Sequence, residues 1–393
     1  MPDYELVAEP HAYRRAASAL SRGRGPFALD TERASAYRYD DRAFLVQVHR
    51  RDAGTFLIAP EGHRDAVRDI FAPVISGGDW ILHAAGEDLP SLAALGLTPG
   101  SLFDTELAAR IGGFSHPNLA AMVERFVGVS LEKGHGREDW STVPLPRAWQ
   151  DYAALDVIYL NELAEAQAVY LDDRGLLGYA EEEFADIVAR PAPGPKTWRD
   201  AKGVSALRSR AELQVARALW QARDAHGRAT DTAPGAVLPN RVLIELARTQ
   251  PRSAAETART RGFPRRRRGA AEAWSRVIGS ALDQDPHTWP ERAATAPGKT
   301  PGKRSWRELH PESWAALDAA RAAVGDVAAE LGMAPETLLQ PAIMREVVWA
   351  ATHNPGGNGT HEIAGELRGR GARSWQAHYT AAPIAAALRS AGF

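Results

Sequence analysis

The first half of the chain alternates between short apolar runs and stretches with helical spacing. Phe27–Asp30 is an apolar run entered from Gly25-Pro26. Ala43–His49 and Thr55–Ala59 are β-rich runs separated by Arg-Arg-Asp-Ala-Gly. Runs of this length bounded by turn residues predict buried strands, and Trp80–His83 predicts one more. Helical spacing predicts helices around His11–Ser21 and over Gly62–Ile75, Glu87–Leu95, Thr105–Ile111, Pro117–Val127 and Leu176–Ala189, with one long helix over Arg147–Asp172. Proline at 117 suits a helix start, where a missing N–H does no harm. Strands that give way to alternating helix and strand predict a mixed sheet with helices on its faces across residues 1–190.

The pattern then breaks. Arg190-Pro-Ala-Pro-Gly-Pro195 reads as a linker. From Leu207 to about Leu282 the spacing is helical, with Leu213, Ala216, Leu219 and Trp220 on one face. Residues 286–305, rich in Pro, Gly, Thr and Lys, form a second linker. Helical spacing resumes over 306–393, where Leu331–Leu339 reads as a turn between two helices. The predicted organisation is an α/β domain over 1–190, a linker over 191–206, a helical domain over 207–285, a linker over 286–305 and a second helical domain over 306–393. A length of 393 residues fits two or three cores better than one.

Composition narrows the function classes. Hydrophobic content of 45% and charged content of 24% are those of a globular protein. No apolar run reaches the length of a membrane span, and Met1–Leu20 lacks the apolar core of a signal peptide, so no membrane association is expected. The absence of cysteine excludes disulfides, zinc thiolates and cysteine nucleophiles and fits a cytoplasmic location. The net charge of −2 hides an asymmetry. Residues 1–190 carry 18 Lys and Arg against 30 Asp and Glu, a net of −12, and residues 191–393 carry the opposite excess, a net of +10. An acidic half joined to a basic half suggests a metal-dependent enzyme with a polyanion-binding appendage, and charge that varies only for solubility is the alternative.

Three acidic landmarks stand in order along the first half. In Phe27-Ala-Leu-Asp-Thr-Glu32, strand alternation sends Asp30 and Glu32 out on the same face. Two adjacent carboxylates repel, and a hard divalent cation between them would relieve the repulsion; a strand end with solvated acids is the plain alternative. In Leu82-His-Ala-Ala-Gly-Glu-Asp-Leu89, Asp88 falls near a helix start, where the dipole alone would favour an acid. In Asp151-Tyr-Ala-Ala-Leu-Asp156, Tyr152 and Asp156 share one helix face. Aspartate is a poor mid-helix residue; the pair could present water to a metal or form a structural hydrogen bond. Arg265–Arg268 is the sharpest basic cluster, suited to phosphate contact or to a solvated loop. Gly298-Lys299-Thr300 lacks the glycine and the strand–helix context of a phosphate-binding loop, so no nucleotide cofactor is expected.

Taken together, Asp30-x-Glu32, Asp88 and Tyr152-x-x-x-Asp156 resemble the DEDD exonuclease superfamily in its tyrosine branch, and within it the ribonuclease D family. Phe44-Leu-Val-Gln47, Leu102-Phe-Asp-Thr105 and Asp139-Trp140 match the same pattern. Leu207–Leu282, with Arg208, Arg210, Glu212, Arg217 and Leu238–Leu243, resembles the helicase-and-ribonuclease-D C-terminal (HRDC) domain. Trp306–Phe393, with Gly371–Gln376, resembles a second, diverged copy. The resemblance implies an α/β ribonuclease H-like exonuclease domain followed by two all-α HRDC-like domains. It implies a 3′→5′ exoribonuclease that uses two divalent cations, Mg²⁺ or Mn²⁺, about 4 Å apart. Asp30 would serve both cations, Glu32 and Asp156 mainly the one that binds the attacking water, and Asp88 the second. Tyr152 would orient the water. The implied substrate is RNA with a free single-stranded 3′ end, such as a tRNA precursor, released as nucleoside 5′-monophosphates. Thr31, His83 and Arg265, Arg266, Arg267 and Arg268 are the candidate RNA contacts. A DNA repair exonuclease and a non-catalytic nucleic-acid-binding protein are the alternatives. One departure stands out: many members carry an aromatic residue directly after the glutamate, where this chain has Arg33.

Overall fold

The apolar runs of the first half assemble one mixed six-stranded sheet in the order β1-β4-β3-β2-β5-β6. In the computed structural model, which describes residues 2–131, 134–136, 138–191, 194–264, 268–292, 300–353 and 358–393, the strands are β1 (Glu5–Val7), β2 (Arg24–Arg33), β3 (Ala43–Arg51), β4 (Gly54–Ile58), β5 (Asp79–Leu82) and β6 (Ser101–Asp104). β2 takes the interior because both its faces are apolar: Phe27, Ala28 and Leu29 are all buried. It pairs antiparallel with β3, placing Asp30 opposite Gln47 and Glu32 opposite Leu45, and parallel with β5. The edge strands β1 and β6 are three and four residues long. That is too short to show a period, and the sequence pattern predicts neither.

Helices α1 (Pro10–Arg22), α2 (Arg64–Ile75) and α3 (Leu89–Ala93) are followed by α4 (Thr105–Ile111), α5 (Leu119–Val127), α6 (Arg147–Ile158), α7 (Leu160–Asp172) and α8 (Leu177–Ala189). Residue parity along β2 decides which face each group meets. Phe27 and Leu29 join Tyr13, Leu20, Phe71 and Ile75 of α1 and α2 in one core. Ala28 points the other way, to Val157, Leu160 and Leu163. Asp30 and Glu32 share the parity of Ala28 and therefore face α6.

Two predicted helices need correction. The long helix over Arg147–Asp172 is broken at Tyr159, where φ −101° and ψ 2° leave the helical region. No proline or glycine marks the break. It lets Ala153 and Ala154 of α6 pack on Leu45 and Leu57 while Leu160 and Leu163 of α7 turn to Ala28 and Ile81. Pro117 is not a helix start either: α5 is capped by Asn118, whose side chain accepts from the N–H of Ala121 at 3.0 Å.

The first helical region opens with 3₁₀ turns at Trp198–Asp200 and Val204–Ala206 and continues through α9 (Arg210–Thr230), α10 (Pro234–Val237), α11 (Asn240–Thr249), α12 (Ala254–Arg259) and α13 (Ala270–Leu282). Ser209 and Glu212 start α9 with a capping box. Leu213, Leu219, Leu243, Leu246 and Trp274 form a core separate from that of the sheet, and Val204 and Leu207 belong to it. The second region comprises α14 (Lys303–Leu309), α15 (Pro311–Glu330), α16 (Pro335–Leu338), α17 (Pro341–His353), α18 (Thr360–Gly369) and α19 (Ser374–Ser390).

The two regions attach differently. The core of the second, including Trp306, Leu317, Val347 and Ile384, is continuous with that of the sheet. Tyr179 of α8 stacks on Trp375 with centroids 5.0 Å apart. Gly113 lies so near Gly332 that a Cβ there would sit 2.2 Å from the Gly332 carbonyl oxygen. The first region is clasped by polar contacts from the 34–42 loop. Arg42 pairs with Asp231 at 2.8 Å, and the Tyr39 hydroxyl donates to Asp224 at 2.6 Å.

Candidate active site

Three elements bring the acidic landmarks together. β2 delivers Asp30 and Glu32 from its C-terminal end, and α6 covers that end with Tyr152 and Asp156 one turn apart. Asp30, Glu32 and Asp156 each offer a carboxylate oxygen, all within 4.8 Å of one another. Asp88 reaches the site from the turn between β5 and α3. Its carboxylate accepts from the Thr31 hydroxyl at 2.6 Å, and Thr31 also lies 3.1 Å from the Ser91 hydroxyl. Thr31 therefore spends its side chain on orienting Asp88 and is itself buried.

The carboxylates are strongly perturbed. Burial, then Asp156 and Asp88, push Glu32 up to about 9, against the opposing charge of Arg33. Burial pushes Asp156 up to about 7, and its hydrogen bond from Tyr152 acts the other way. Asp88 rises to about 6 through burial, with Thr31 and Arg33 opposing. Asp30 is held well above the ordinary carboxylate range by burial and then by Asp88, Asp156 and Glu32. Among the described residues, no Lys, Arg or His forms an ion pair with any of the four. Close oxygen donors, buried at Glu32 and Asp88 and half-buried at Asp30 and Asp156, with no ion-pair partner among the described residues, are the donor set that a hard divalent cation takes. The residues fit such an ion.

Tyr152 keeps its proton, because burial and then Asp156, Glu32 and Asp30 raise it further above its already high value. Its ring is fixed by close neighbours. A Cβ at Gly134 would fall 2.1 Å from the ring, so only glycine allows this approach. His135 meets it edge-on at 5.9 Å, and the buried Trp140 lies 6.5 Å away.

Two residues that the sequence shows only as parts of matching stretches, Asp104 and Gln47, hold the acids in place. Asp104 is buried and accepts from the N–H groups of Ala84 and Ala85 at 3.0 and 2.8 Å. It also caps α4 through Glu106 and Leu107. One carboxylate thus braces the turn that carries Asp88, in which Ala84 adopts a left-handed φ of 63°. An Asp just before Thr105-Glu106 is a helix-cap signal, but nothing in it names the second job. Gln47 is fully buried opposite Asp30, with its amide nitrogen 3.5 Å from the carboxylate.

His83 bonds to the Thr105 hydroxyl at 2.9 Å and does not join the acidic cluster; burial lowers it to about 4, so it is neutral. Arg265, Arg266 and Arg267 lie outside the described residues. Arg268 is exposed beside Gly269 at the start of α13.

Comparison with known proteins places this geometry. Residues 4–167 match the family described as 3′-5′ exonuclease. Residues 212–270 match the HRDC domain, and residues 299–388 match the 3′ to 5′ exonuclease C-terminal domain. A Ribonuclease D of Pseudomonas paraeruginosa is 31% identical over 353 residues, which span 87% of this chain and 88% of that protein. A crystal structure of a protein from Bifidobacterium adolescentis superposes with a TM-score of 0.83 at 31% identity, covering 99% of this chain and 100% of the other. Escherichia coli RNase D, described as an exoribonuclease involved in structured RNA processing, shares the fold at a TM-score of 0.73 and 23% identity, over 99% of both chains. With the acidic cluster at the end of its central strand and 31% identity to a Ribonuclease D across 87% of its length, the chain belongs to the ribonuclease D family of 3′→5′ exoribonucleases.

Proposed function

We propose that this chain trims RNA 3′ ends by metal-dependent hydrolysis and releases nucleoside 5′-monophosphates. The observation that carries the proposal is the meeting of Asp30, Glu32 and Asp156 within 4.8 Å with no counter-charge paired to them among the described residues. Asp30, Glu32 and Asp156 would hold the cations, with Asp88 completing the set directly or through water. A pair of bound Mg²⁺ or Mn²⁺ ions supplies the Lewis-acid chemistry that activates water and stabilises the departing 3′ oxygen. Tyr152 stays protonated and donates to Asp156, so it orients rather than abstracts. Asp104, Thr31 and Gln47 hold the carboxylates in place. Burial around the site excludes bulk water and strengthens every charge interaction in it.

The substrate we propose is structured RNA with a single-stranded 3′ tail, of which tRNA precursors are one class. The net of +10 over residues 191–393 supports a polyanion held by the helical half while the 3′ end reaches the acidic half. The domain limits proposed for this division are 1–190, 207–285 and 306–393, with linkers between. None of the described helices is long and apolar enough to cross a membrane, and we place the enzyme in the cytoplasm.

The test uses 5′-labelled RNA and DNA of one sequence, each with a single-stranded 3′ tail, incubated with Mg²⁺, Mn²⁺ or EDTA. A cation-dependent ladder on RNA, weak on DNA, is expected. A stronger ladder on DNA would turn the proposal to DNA repair, and a shifted band with no ladder would contradict hydrolysis.

A further inference from the structure

We propose that Arg33 anchors the substrate: at the rim of the acidic site its guanidinium takes a backbone phosphate near the RNA 3′ end. The inference rests on the exoribonuclease reading above and addresses how a polyanion enters a pocket of four acids. Arg33 ends β2 directly after Glu32, and the β2–β3 register shifts between these two residues, so that Arg33 pairs with Ala43 beyond the irregularity, at the end of the strand that carries the acids. One guanidinium N–H donates to the backbone carbonyl of Glu87, in the turn that carries Asp88. That neutral contact keeps the charge beside the site.

Its carboxylate partners hold it only loosely. Asp41 lies 3.6 Å away and Glu87 3.7 Å, beyond hydrogen-bond length, and their side chains are 63% and 76% exposed. The Arg33 side chain is 21% exposed, and pairs this long to exposed carboxylates contribute little. A guanidinium has five N–H donors, so several stay available for a phosphate, which it can grip with two parallel bonds. A purely structural role is redundant, because the turn is already braced by Asp104 through Ala84 and Ala85 and by Thr31 through Asp88.

The experiment compares the full chain with Arg33→Ala and Arg33→Lys on 5′-labelled RNA with a single-stranded 3′ tail. Arg33→Ala should raise KM about tenfold at low salt and leave kcat within about threefold. The slope of log KM against log salt should shrink by about 0.7, the share of one single-strand phosphate. Arg33→Lys should restore the slope and part of KM. Asp41→Asn with Glu87→Gln removes the competing carboxylates and should lower KM about twofold, a gain absent in the Arg33→Ala background. RNA binding measured in the Asp156→Asn background separates anchoring from chemistry. A wild-type chain that does not degrade RNA sinks the exoribonuclease reading, and loss of binding on Arg33→Ala in that background still supports the anchor. An unchanged KM and salt slope, or a fall in kcat with the slope intact, overturns it.

Discussion

Two clusters of buried and half-buried acid meet opposite fates. On α8, Glu183 and Asp186 face Arg373 at 3.2 and 2.7 Å, with the side chains of Glu183 and Arg373 each only 10% exposed. Burial raises Glu183, and Arg373 opposes the rise. At the end of β2, Asp30, Glu32 and Asp156 crowd within 4.8 Å, and no described cation pairs with them. In the first cluster the protein supplies the counter-charge, and the gain is cohesion, because Arg373 fastens the second helical domain to the sheet domain. In the second the counter-charge has to arrive from solution. A buried ion pair broken on one side is costly, so a cluster built without its cation marks the place where the chain gives up stability for chemistry.

Substitutions should separate the two clusters cleanly. Asp156→Asn should lower single-turnover RNA hydrolysis by about 10⁴-fold, on the order of 5.5 kcal/mol in the barrier. Cation-free stability in urea should not fall, because the change removes a repelled charge. Arg373→Ala should do the reverse, costing about 3–5 kcal/mol of stability while turnover per folded molecule stays unchanged. If hydrolysis fell as steeply there as stability, the second cluster would be part of the active site and the contrast would collapse.

A smaller effect follows from pH in the absence of cations. The site carboxylates titrate from ordinary values of 3.8 and 4.5 when unfolded to about 6, 7 and 9 when folded. For an acid held above its unfolded value, the contribution is fully present below about pH 4 and is lost as pH rises through the folded value. Thermal melts in EDTA should therefore fall by on the order of 5 °C between pH 5 and pH 9. A flat profile would mean that the acids are already neutralised.

The sequence made the chemistry legible further than the architecture. Asp30, Glu32, Asp88, Tyr152 and Asp156 were singled out together by their likeness to a family pattern, and they converge in the fold because strand parity and the i, i+4 rule survive folding. The break at Tyr159 was hidden because the apolar spacing runs through it, and only packing against two different surfaces reveals it. β1 and β6 were too short to carry a period. Asp104 and Gln47 stood within stretches that match the family pattern, but their bracing roles could not be read, because a bracing residue is defined by partners distant in sequence. Asp104 reads locally as nothing more than a cap. Arg33 was visible as a departure, but its ties to Glu87 and Asp41 were not.

Cation-dependent melting at pH 8 reads out whether Asp30, Glu32 and Asp156 form a cation site. Titrating Mn²⁺ or Mg²⁺ into the chelator-stripped chain should raise Tm and erase its fall with pH, because the ion supplies the missing charge. Glu32→Gln and Asp156→Asn should start from an equal or higher Tm and respond far less. A wild-type Tm that ignores both cations, or variants that respond as fully as the wild type, would contradict the account.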